Sequence, residues 1–131
     1  MLDTNMCIYL IKNQPEIVAK RFAQCYVGDV VMSAITFAVL EYGVAVCHNP
    51  EQERLNLASL VEDIRVVPFD TAAAIAYGPI LRATRDSKQD HLDKLIAAHA
   101  VSLNIIVVTN NEKDFAKYPR VVTENWLNPS A

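Results

Sequence analysis

Glycine is scarce in this chain of 131 residues, with only three occurrences. A many-turned all-β fold needs more glycine than this, because its tight turns place residues at positive φ. Apolar residues make up 52% and charged residues 21%, which is the composition of a globular domain rather than of a disordered chain. The length suits one domain and no linker or internal repeat divides it, so we predict a single domain over residues 1–131.

Cysteine is also scarce and odd in number, with Cys7, Cys25 and Cys47. Since no Cys-x-x-Cys pair or His-x-Cys cluster is present, neither a disulfide framework nor a zinc site is indicated. We expect three reduced, partly buried thiols. No apolar run approaches the ~20 residues of a membrane span, and Asp3 and Lys12 bracket too short an apolar stretch for a signal peptide. The expected location is therefore cytoplasmic.

An excess of basic charge is missing as well. The formal net charge is −3, whereas a nucleic-acid-binding protein usually carries a basic footprint. An acidic metal site is compatible with this charge, because a bound cation reverses the local sign. The chain also lacks a phosphate-cradling glycine loop and a serine in a Gly-x-Ser-x-Gly context, so neither motif is available to assign a function.

Short apolar strands alternate with amphipathic helices along the chain. The predicted strands cover residues 1–3, 29–33, 65–69, 105–108 and 121–122. The predicted helices cover residues 4–12, 15–25, 34–46, 50–61, 70–85, 92–103 and 112–118. The run at 105–108 is apolar and β-branched throughout, which is typical of a central parallel strand covered on both faces. The alternation predicts a three-layer α/β/α fold with a central, mostly parallel sheet.

Acidic and polar residues follow the predicted strands. Asp3 ends the first strand, and residues 109–111 end the strand at 105–108. Open α/β sheets bind their ligands at this carboxyl edge. Asp93 lies in the first turn of an apolar helix, and Asp114 follows shortly after residue 111. If Asp3, Asp93 and Asp114 converge, they form an oxygen-rich site suited to Mg²⁺ or Mn²⁺, which can activate water and stabilise a phosphoryl transition state.

Each of these residues also has a structural interpretation. Asp3 can cap a helix, Asp93 can interact with a helix dipole, and Asp114 can be a solvated helix residue. His99 lies on an apolar helix and is expected to be a packed core histidine. Trp126 is expected to anchor the C-terminal segment to the body of the domain. Three further acidic residues are expected to be surface charges: Asp86, Asp90 and Glu112.

Four ordered segments of the chain carry a family resemblance. They are Met1-Leu2-Asp3-Thr4-Asn5, Met32-Ser33-Ala34-Ile35-Thr36, Asp93 with Leu95-Ile96-Ala97-Ala98-His99-Ala100, and Val108-Thr109-Asn110-Asn111 with Asp114-Phe115. Together they resemble VapC-type toxins of the PIN-domain ribonuclease family. The resemblance implies a PIN-like fold, a divalent-cation-dependent (Mg²⁺ or Mn²⁺) endoribonuclease of a type II toxin–antitoxin system, and a cognate VapB-type antitoxin as partner. It implies RNA as the substrate, with initiator tRNA as an analogy.

The resemblance also implies roles for individual residues. Asp3 and Asp93 correspond to the main metal ligands. Asp114 corresponds to the fourth acidic position, which makes these three aspartates the expected catalytic residues. Thr109 and Asn111 correspond to polar residues that support the site.

One position departs from the family pattern. The family has a glutamate three residues after the threonine of the Ser-x-Ile-Thr segment, where this chain has Val39. Glu41 is close in sequence, but two positions along a helix turn a side chain by about 200°, so we expect it to face elsewhere. Activity is therefore expected to be weakened. The alternative is a catalytically impaired PIN-like module that binds antitoxin or RNA.

A phosphatase with Asp3 as nucleophile is a further alternative. Haloacid-dehalogenase-type phosphatases have a second aspartate two residues after the nucleophile, and this chain has Asn5 there. A receiver domain would need an adjacent acidic pair and a late lysine at a strand end, and neither is evident. This class is disfavoured.

Four apolar residues on one predicted helix suggest an interface. Leu55, Leu57, Leu60 and Val61 exceed what one helix face needs for its own core. An exposed apolar patch usually marks an interaction site. We therefore predict a homodimer that binds an apolar segment of a small antitoxin.

Overall fold

Pairs of helices alternate with short strands over most of the chain in the computed structural model, which describes residues 1–86 and 89–127. The helices are α1 (Thr4–Lys12), α2 (Glu16–Ala23), α3 (Ala34–Val46), α4 (Pro50–Asp63), α5 (Thr71–Ala83), α6 (His91–Leu103) and α7 (Glu112–Phe115). The strands are β1 (Val31–Ser33), β2 (Arg65–Val67), β3 (Val107–Val108) and β4 (Thr123–Glu124). Among the described residues, no helix is long and apolar enough to span a membrane.

Every strand pairing within the described residues is parallel. β1 pairs with β2, and β3 pairs with β4. Leu2 joins the two pairs through bridges to Met32 and to Val108. The order across the sheet is therefore β2, β1, Leu2, β3 and β4, which confirms the predicted parallel central sheet.

Helices cover this sheet on both faces, because successive residues of a strand point to opposite sides. Met32 and Val108 belong to a core that includes buried residues of α1, α2, α3 and α4. Their neighbours Val31 and Val107 belong to a second core that includes buried residues of α5, α6 and α7. The arrangement is the predicted three-layer α/β/α fold.

Polar caps fix where two helices leave the sheet. The Oδ1 atom of Asp3 accepts a hydrogen bond of 2.9 Å from the backbone N–H of Met6. The hydroxyl of Ser33 accepts one of 3.0 Å from the backbone N–H of Ile35. Such caps satisfy backbone donors that the first helical turn leaves unpaired. As a result, α1 and α3 both begin at the carboxyl edge of the sheet.

The structure shortens or moves every predicted strand: 1–3 is reduced to bridges at Leu2, 29–33 to Val31–Ser33 and 65–69 to Arg65–Val67. The strand expected at 105–108 covers only Val107–Val108, and Ile105 is 36% exposed and Ile106 45% exposed. The amide of Ile105 instead bonds to the carbonyl of Ala100 at 3.0 Å, so the residues after α6 complete its C-cap before the sheet begins. The last strand lies at Thr123–Glu124 rather than at 121–122.

The apolar residues of α4 do not form the expected surface patch. Leu57 and Leu60 are buried in the core, and Val61 packs against it. Leu55 alone among the four is exposed, at 64%. The reason is the helical period, since positions 57, 60, 61 and 64 share the face that turns toward α1 and the sheet. The homodimer itself stays a prediction.

Two aromatic residues lie as the sequence predicts. His99 is buried, its Nδ1 atom is 2.8 Å from the hydroxyl oxygen of Ser33, and its ring meets the ring of Phe69 edge-on. Trp126 is buried beside Phe22 and therefore anchors the C-terminal segment to α2. The three cysteines are free thiols, as expected.

Candidate active site

The carboxyl edge of the sheet brings Asp3 and Thr109 together. Asp3 directly follows the sheet residue Leu2, and Thr109 directly follows β3. The backbone N–H of Asp3 donates to the carbonyl of Val108 at 3.0 Å, which holds the two strand ends side by side. A hydrogen bond from the Thr109 side chain reaches the carboxylate of Asp3. The side chain of Thr109 therefore lies beside that of Asp3, and its role in supporting a functional site stays a prediction.

Asp3 is a nearly buried carboxylate with several donors around it. It is 3% exposed, and burial raises the pKa of its carboxyl above the ordinary value. Hydrogen bonds from Thr109 and from the backbone of Met6 and Asn5 oppose this rise in the pKa. The cap on α1 confirms the structural interpretation of Asp3. It does not exclude metal binding, because a carboxylate offers about four lone-pair positions.

Asp93 lies in the first turn of α6 and is only partly exposed. Burial raises the pKa of its carboxyl to about 6, and the negative charges of three other aspartates act in the same direction. These are Asp3, Asp90 and Asp114. Burial likewise raises the pKa of the nearby Tyr118 to about 12, helped by the charge of Asp93. Four carboxylates thus share one region of electrostatic repulsion, which a bound cation would relieve.

The loop after β3 is held in one conformation by its own side chains. The hydroxyl of Thr109 accepts a hydrogen bond of 2.9 Å from the backbone N–H of Asn111. The side-chain amide of Asn110 donates to the hydroxyl of Tyr9 on α1 at 3.0 Å. The loop that connects β3 to α7 is therefore fixed against α1.

Asp114 lies in α7 and has local partners. The side-chain amide of Asn111 donates to its Oδ2 atom at 2.9 Å, and the ammonium of Lys117 lies 3.5 Å from its Oδ1 atom. The hydrogen bond from Asn111 and the charge of Lys117 keep the pKa of Asp114 below its ordinary value. Asp114 therefore stays charged and contributes negative potential to the edge of the sheet.

The kinds of metal-ligand atom at the carboxyl edge of the sheet restrict which metal ion can bind there. No group of three or more His, Cys, Asp or Glu side chains among residues 1–86 and 89–127 is arranged to hold a metal ion. The available donors are carboxylate, hydroxyl and amide oxygens. Mg²⁺ commonly takes one or two protein carboxylates and keeps several waters, whereas structural zinc needs four protein ligands. Asp3 and Asp93 therefore fit a hydrated hard cation and do not fit zinc.

The position of the missing family glutamate borders an apolar cavity. Val39 is partly buried and lines a cavity of about 280 Å³ together with Ile8 of α1 and Leu57 of α4. Glu41 turns toward α4, where its carboxylate lies 2.6 Å from the guanidinium of Arg54. The expectation that Glu41 faces elsewhere is confirmed.

Comparison with known proteins decides the family. The model of the PIN domain family matches residues 1–121. The chain belongs to the PIN domain family. It is 36% identical over 128 residues to the tRNA(fMet)-specific endonuclease VapC of Salmonella typhimurium, with 96% of each chain covered. It is 33% identical over 136 residues to ribonuclease VapC2 of Rickettsia felis, again with 96% of each covered.

Solved structures agree with this assignment. DNA-bound VapBC from Salmonella typhimurium matches this PIN domain with a TM-score of 0.89 and 35% identity, covering 96% of both chains. VapBC-1 from nontypeable Haemophilus influenzae matches with a TM-score of 0.87 and 34% identity, covering 98% of both chains. The predicted fold class is therefore shown by overall structure as well as by sequence.

Two residues near the site of this PIN domain were not predicted to belong there. Asp90 is exposed, as expected, but its charge raises the pKa of Asp93 three residues later. In the sequence, only the three-residue spacing between Asp90 and Asp93 indicates that their charges interact. Tyr118 had no such signal, because its position depends on how α7 packs against α6.

Replacing Asp93 with asparagine is expected to stabilise the metal-free protein at neutral pH. The folded-state pKa of about 6 lies above the ordinary value of 3.8, so the folded protein holds the proton more tightly than the unfolded chain does. Wild-type stability from this group therefore increases as the pH falls through about 6. Asp93→Asn should add about 1–2 kcal/mol at pH ~7.5, a few degrees in Tm, and the gain should shrink toward pH ~4.

Thermal unfolding in EDTA across this pH range measures the effect. Asp63→Asn, at the last residue of α4, is the control for loss of one negative charge. An Asp93→Asn variant that is less stable than wild type at neutral pH would contradict the proposed repulsion.

Proposed function

We propose that this PIN domain is a divalent-cation-dependent endoribonuclease and the toxin of a type II toxin–antitoxin system. The observation that carries the proposal is the electrostatic coupling of Asp93 to the carboxylates of Asp3, Asp90 and Asp114. Asp3 is buried and Asp93 partly buried, and carboxylates whose pKa is raised by burial and by neighbouring charges are often found at functional sites. The ribonuclease names of the similar VapC proteins support the reaction class.

In this proposal Asp3 and Asp93 hold Mg²⁺ or Mn²⁺. When bound, such a cation stabilises negative charge on the phosphoryl group and lowers the pKa of a bound water. Thr109 keeps the Asp3 carboxylate oriented through its hydrogen bond. Asp114, kept charged by Asn111 and Lys117, is the third catalytic aspartate and adds to the potential that attracts the cation.

We propose initiator tRNA as the substrate. Two relatives, from Salmonella typhimurium at 36% and from Shigella flexneri at 37% identity, are named tRNA(fMet)-specific endonucleases. Purified protein should cleave initiator tRNA with Mn²⁺ or Mg²⁺ present, and EDTA should stop it. Equal cleavage of an elongator tRNA would contradict the substrate, and cleavage in EDTA would contradict the role of the metal. Because tRNA is cytoplasmic in bacteria, a cytoplasmic location accompanies this proposal.

We also propose a VapB-type antitoxin as partner. The solved relatives include VapBC complexes from Rickettsia felis and Haemophilus influenzae. The apolar cavity between α1, α3 and α4 supports the idea, since it is lined by Ile8, Ile11 and Leu57 and bordered by Tyr42, which is 68% exposed. An apolar antitoxin segment would cover these side chains.

A homodimer is expected in solution. The buried apolar residues of α4 cannot form the dimer interface, because they already pack in the core of the domain. Exposed apolar side chains are present on α3 and α5, including Val46 at 61% and Ile75 at 72%. Exposed apolar area of this kind is typical of interfaces. Light scattering at micromolar concentration should give about twice the chain mass of 14.6 kDa. A monomeric mass over the whole concentration range would contradict the dimer.

A second candidate function is a binding module with little catalysis. It is favoured by Val39 at the glutamate position and by the lack of a three-ligand acidic group among the described residues. The tRNA assay separates the two functions. Binding of tRNA without metal-dependent cleavage would support the binding module.

A further inference from the structure

The end of α5 lies against the start of α6, close to the acidic site. The ammonium of Lys94 donates to the backbone carbonyl of Thr84 at 3.3 Å. The Lys94 side chain is buried, with only 1% exposure. Lys94 directly follows Asp93 in the first turn of α6. The residues on either side of Thr84 are therefore neighbours of the turn that carries Asp93.

An open groove runs along this end of α5. It has a volume of about 520 Å³, and its lining consists of Gly78, Pro79, Arg82, Ala83 and Arg85. All five are exposed. A Cβ atom built on Gly78 would meet nothing within 4 Å, so the floor of the groove is accessible to a ligand backbone.

Within residues 1–86 and 89–127, neither arginine of the groove forms an ion pair. The ion pairs of the described residues join Arg21 to Glu124, Arg54 to Glu41, and Lys117 to Asp114. Neither Arg82 nor Arg85 takes part in them. Two exposed arginines without an ion pair among the described residues, on either side of the Thr84 that contacts the first turn of α6, are available to bind an external anion.

We propose that Arg82 and Arg85 form a subsite for the RNA phosphate backbone beside the acidic site. The inference rests on the proposed ribonuclease function and adds how the substrate is held. The chain has a net charge of −3, and its four coupled aspartates repel a polyanion. Local cations must therefore supply the attraction. A guanidinium offers paired donors that match two phosphate oxygens, and the small side chains of Gly78 and Ala83 let the backbone come close.

The test measures binding of a single-stranded RNA oligonucleotide of mixed sequence, in EDTA so that binding is separated from cleavage. The Arg82→Gln/Arg85→Gln variant should bind this RNA about tenfold more weakly than wild type at moderate salt. The slope of log K against log[salt] should become shallower by about 1.4, which is about 0.7 for each of two lost phosphate contacts on a single strand. In the cleavage assay KM should rise while kcat is kept.

Arg65→Gln is the matched control. Arg65 is exposed at the first residue of β2, at the amino end of the strand and so at the opposite edge of the sheet. It makes the same Arg→Gln change once, where the double variant makes it twice, and should leave the salt slope unchanged. A melting temperature equal to wild type shows that each variant is folded.

Three results would overturn the subsite. One is an unchanged affinity and salt slope in the double variant, and another is an equal loss in Arg65→Gln. The third is displacement of the RNA by poly-aspartate as effectively as by unlabelled RNA, because the groove would then favour an acidic protein segment. If wild type does not cleave RNA with Mn²⁺ present, the proposed ribonuclease function is refuted. The subsite is judged separately, because RNA binding in EDTA does not depend on cleavage.

Discussion

Asp3→Asn is expected to abolish RNA cleavage and growth inhibition while leaving the fold intact. Asparagine has the shape of aspartate, and its carbonyl oxygen can still accept the hydrogen bond that the backbone of Met6 donates at 2.9 Å. The change removes the ligand charge at a side chain that is 3% exposed. Loss of preorganised electrostatic stabilisation of this kind costs catalysis about 10²–10³-fold or more.

The stability of this variant should equal or exceed that of wild type. Burial raises the pKa of Asp3, so the charged form is disfavoured in the folded state and a neutral amide removes that penalty. Thermal unfolding without metal measures it. Wild type should gain stability from added Mn²⁺, and Asp3→Asn should gain much less.

Asp70→Asn is the matched control for this substitution. Asp70 caps α5 in the way that Asp3 caps α1, with its Oδ1 atom accepting from the backbone N–H of Ala73 at 3.0 Å. Asp70→Asn makes the same chemical change at a helix cap outside the acidic cluster, so the rate of RNA cleavage should be the same as in wild type. Normal cleavage by a normally folded Asp3→Asn variant would reject Asp3 as a metal ligand.

Much of the fold could be predicted because local chemistry fixes the ends of its elements. Ser33 caps α3 and Asp70 caps α5, and serine and aspartate are residue types that favour this position. At the first helix the observed cap is Asp3, in agreement with its structural interpretation. Thr4 and Asn5 are adjacent and also polar, so residue type alone does not decide which of the three side chains accepts from the backbone donors.

What could not be predicted depends on packing between elements. The helical period places Leu57 and Leu60 on one face of α4, but whether α1 and the sheet or a partner chain covers that face depends on tertiary packing. The effect of the Asp93 charge on Tyr118 has the same origin, since it requires the segment after α7 to pack near the start of α6. The positions of Asp3, Asp93 and Asp114 after predicted strands and in a first helical turn indicated the site, whereas the role of each residue was implied only by the family resemblance.

Val39→Glu is expected to strengthen metal binding and to raise cleavage about 10²–10³-fold. Position 39 lies one turn along α3 from Thr36, whose hydroxyl oxygen is 3.4 Å from that of Thr4, the residue next to Asp3. A glutamate at this position can therefore extend toward the carboxyl edge. A further carboxylate there deepens the negative potential and offers another oxygen to a cation or its water.

The cost of burying this new charge should be small. Val39 is only partly buried, and the ammonium-bearing side chain of Lys12 lines the same cavity. A nearby cation and access to water both reduce the desolvation penalty of a carboxylate. The metal-free variant should therefore remain folded, and added Mn²⁺ should raise its Tm by more than it raises that of wild type.

Three comparison variants isolate the effect of the carboxylate at position 39. Val39→Gln supplies the shape without the charge, and Val46→Glu adds the charge at a site on α3 that is 61% exposed. Glu41→Gln should leave cleavage unchanged, because Glu41 is paired with Arg54 at 2.6 Å and loss of an exposed pair costs at most about 1 kcal/mol. Loss of cleavage in Glu41→Gln would instead mean that Glu41 serves the site. If Val39→Glu gains neither cleavage nor metal-induced stability, position 39 does not correspond to the family glutamate, and the acidic site is complete without it.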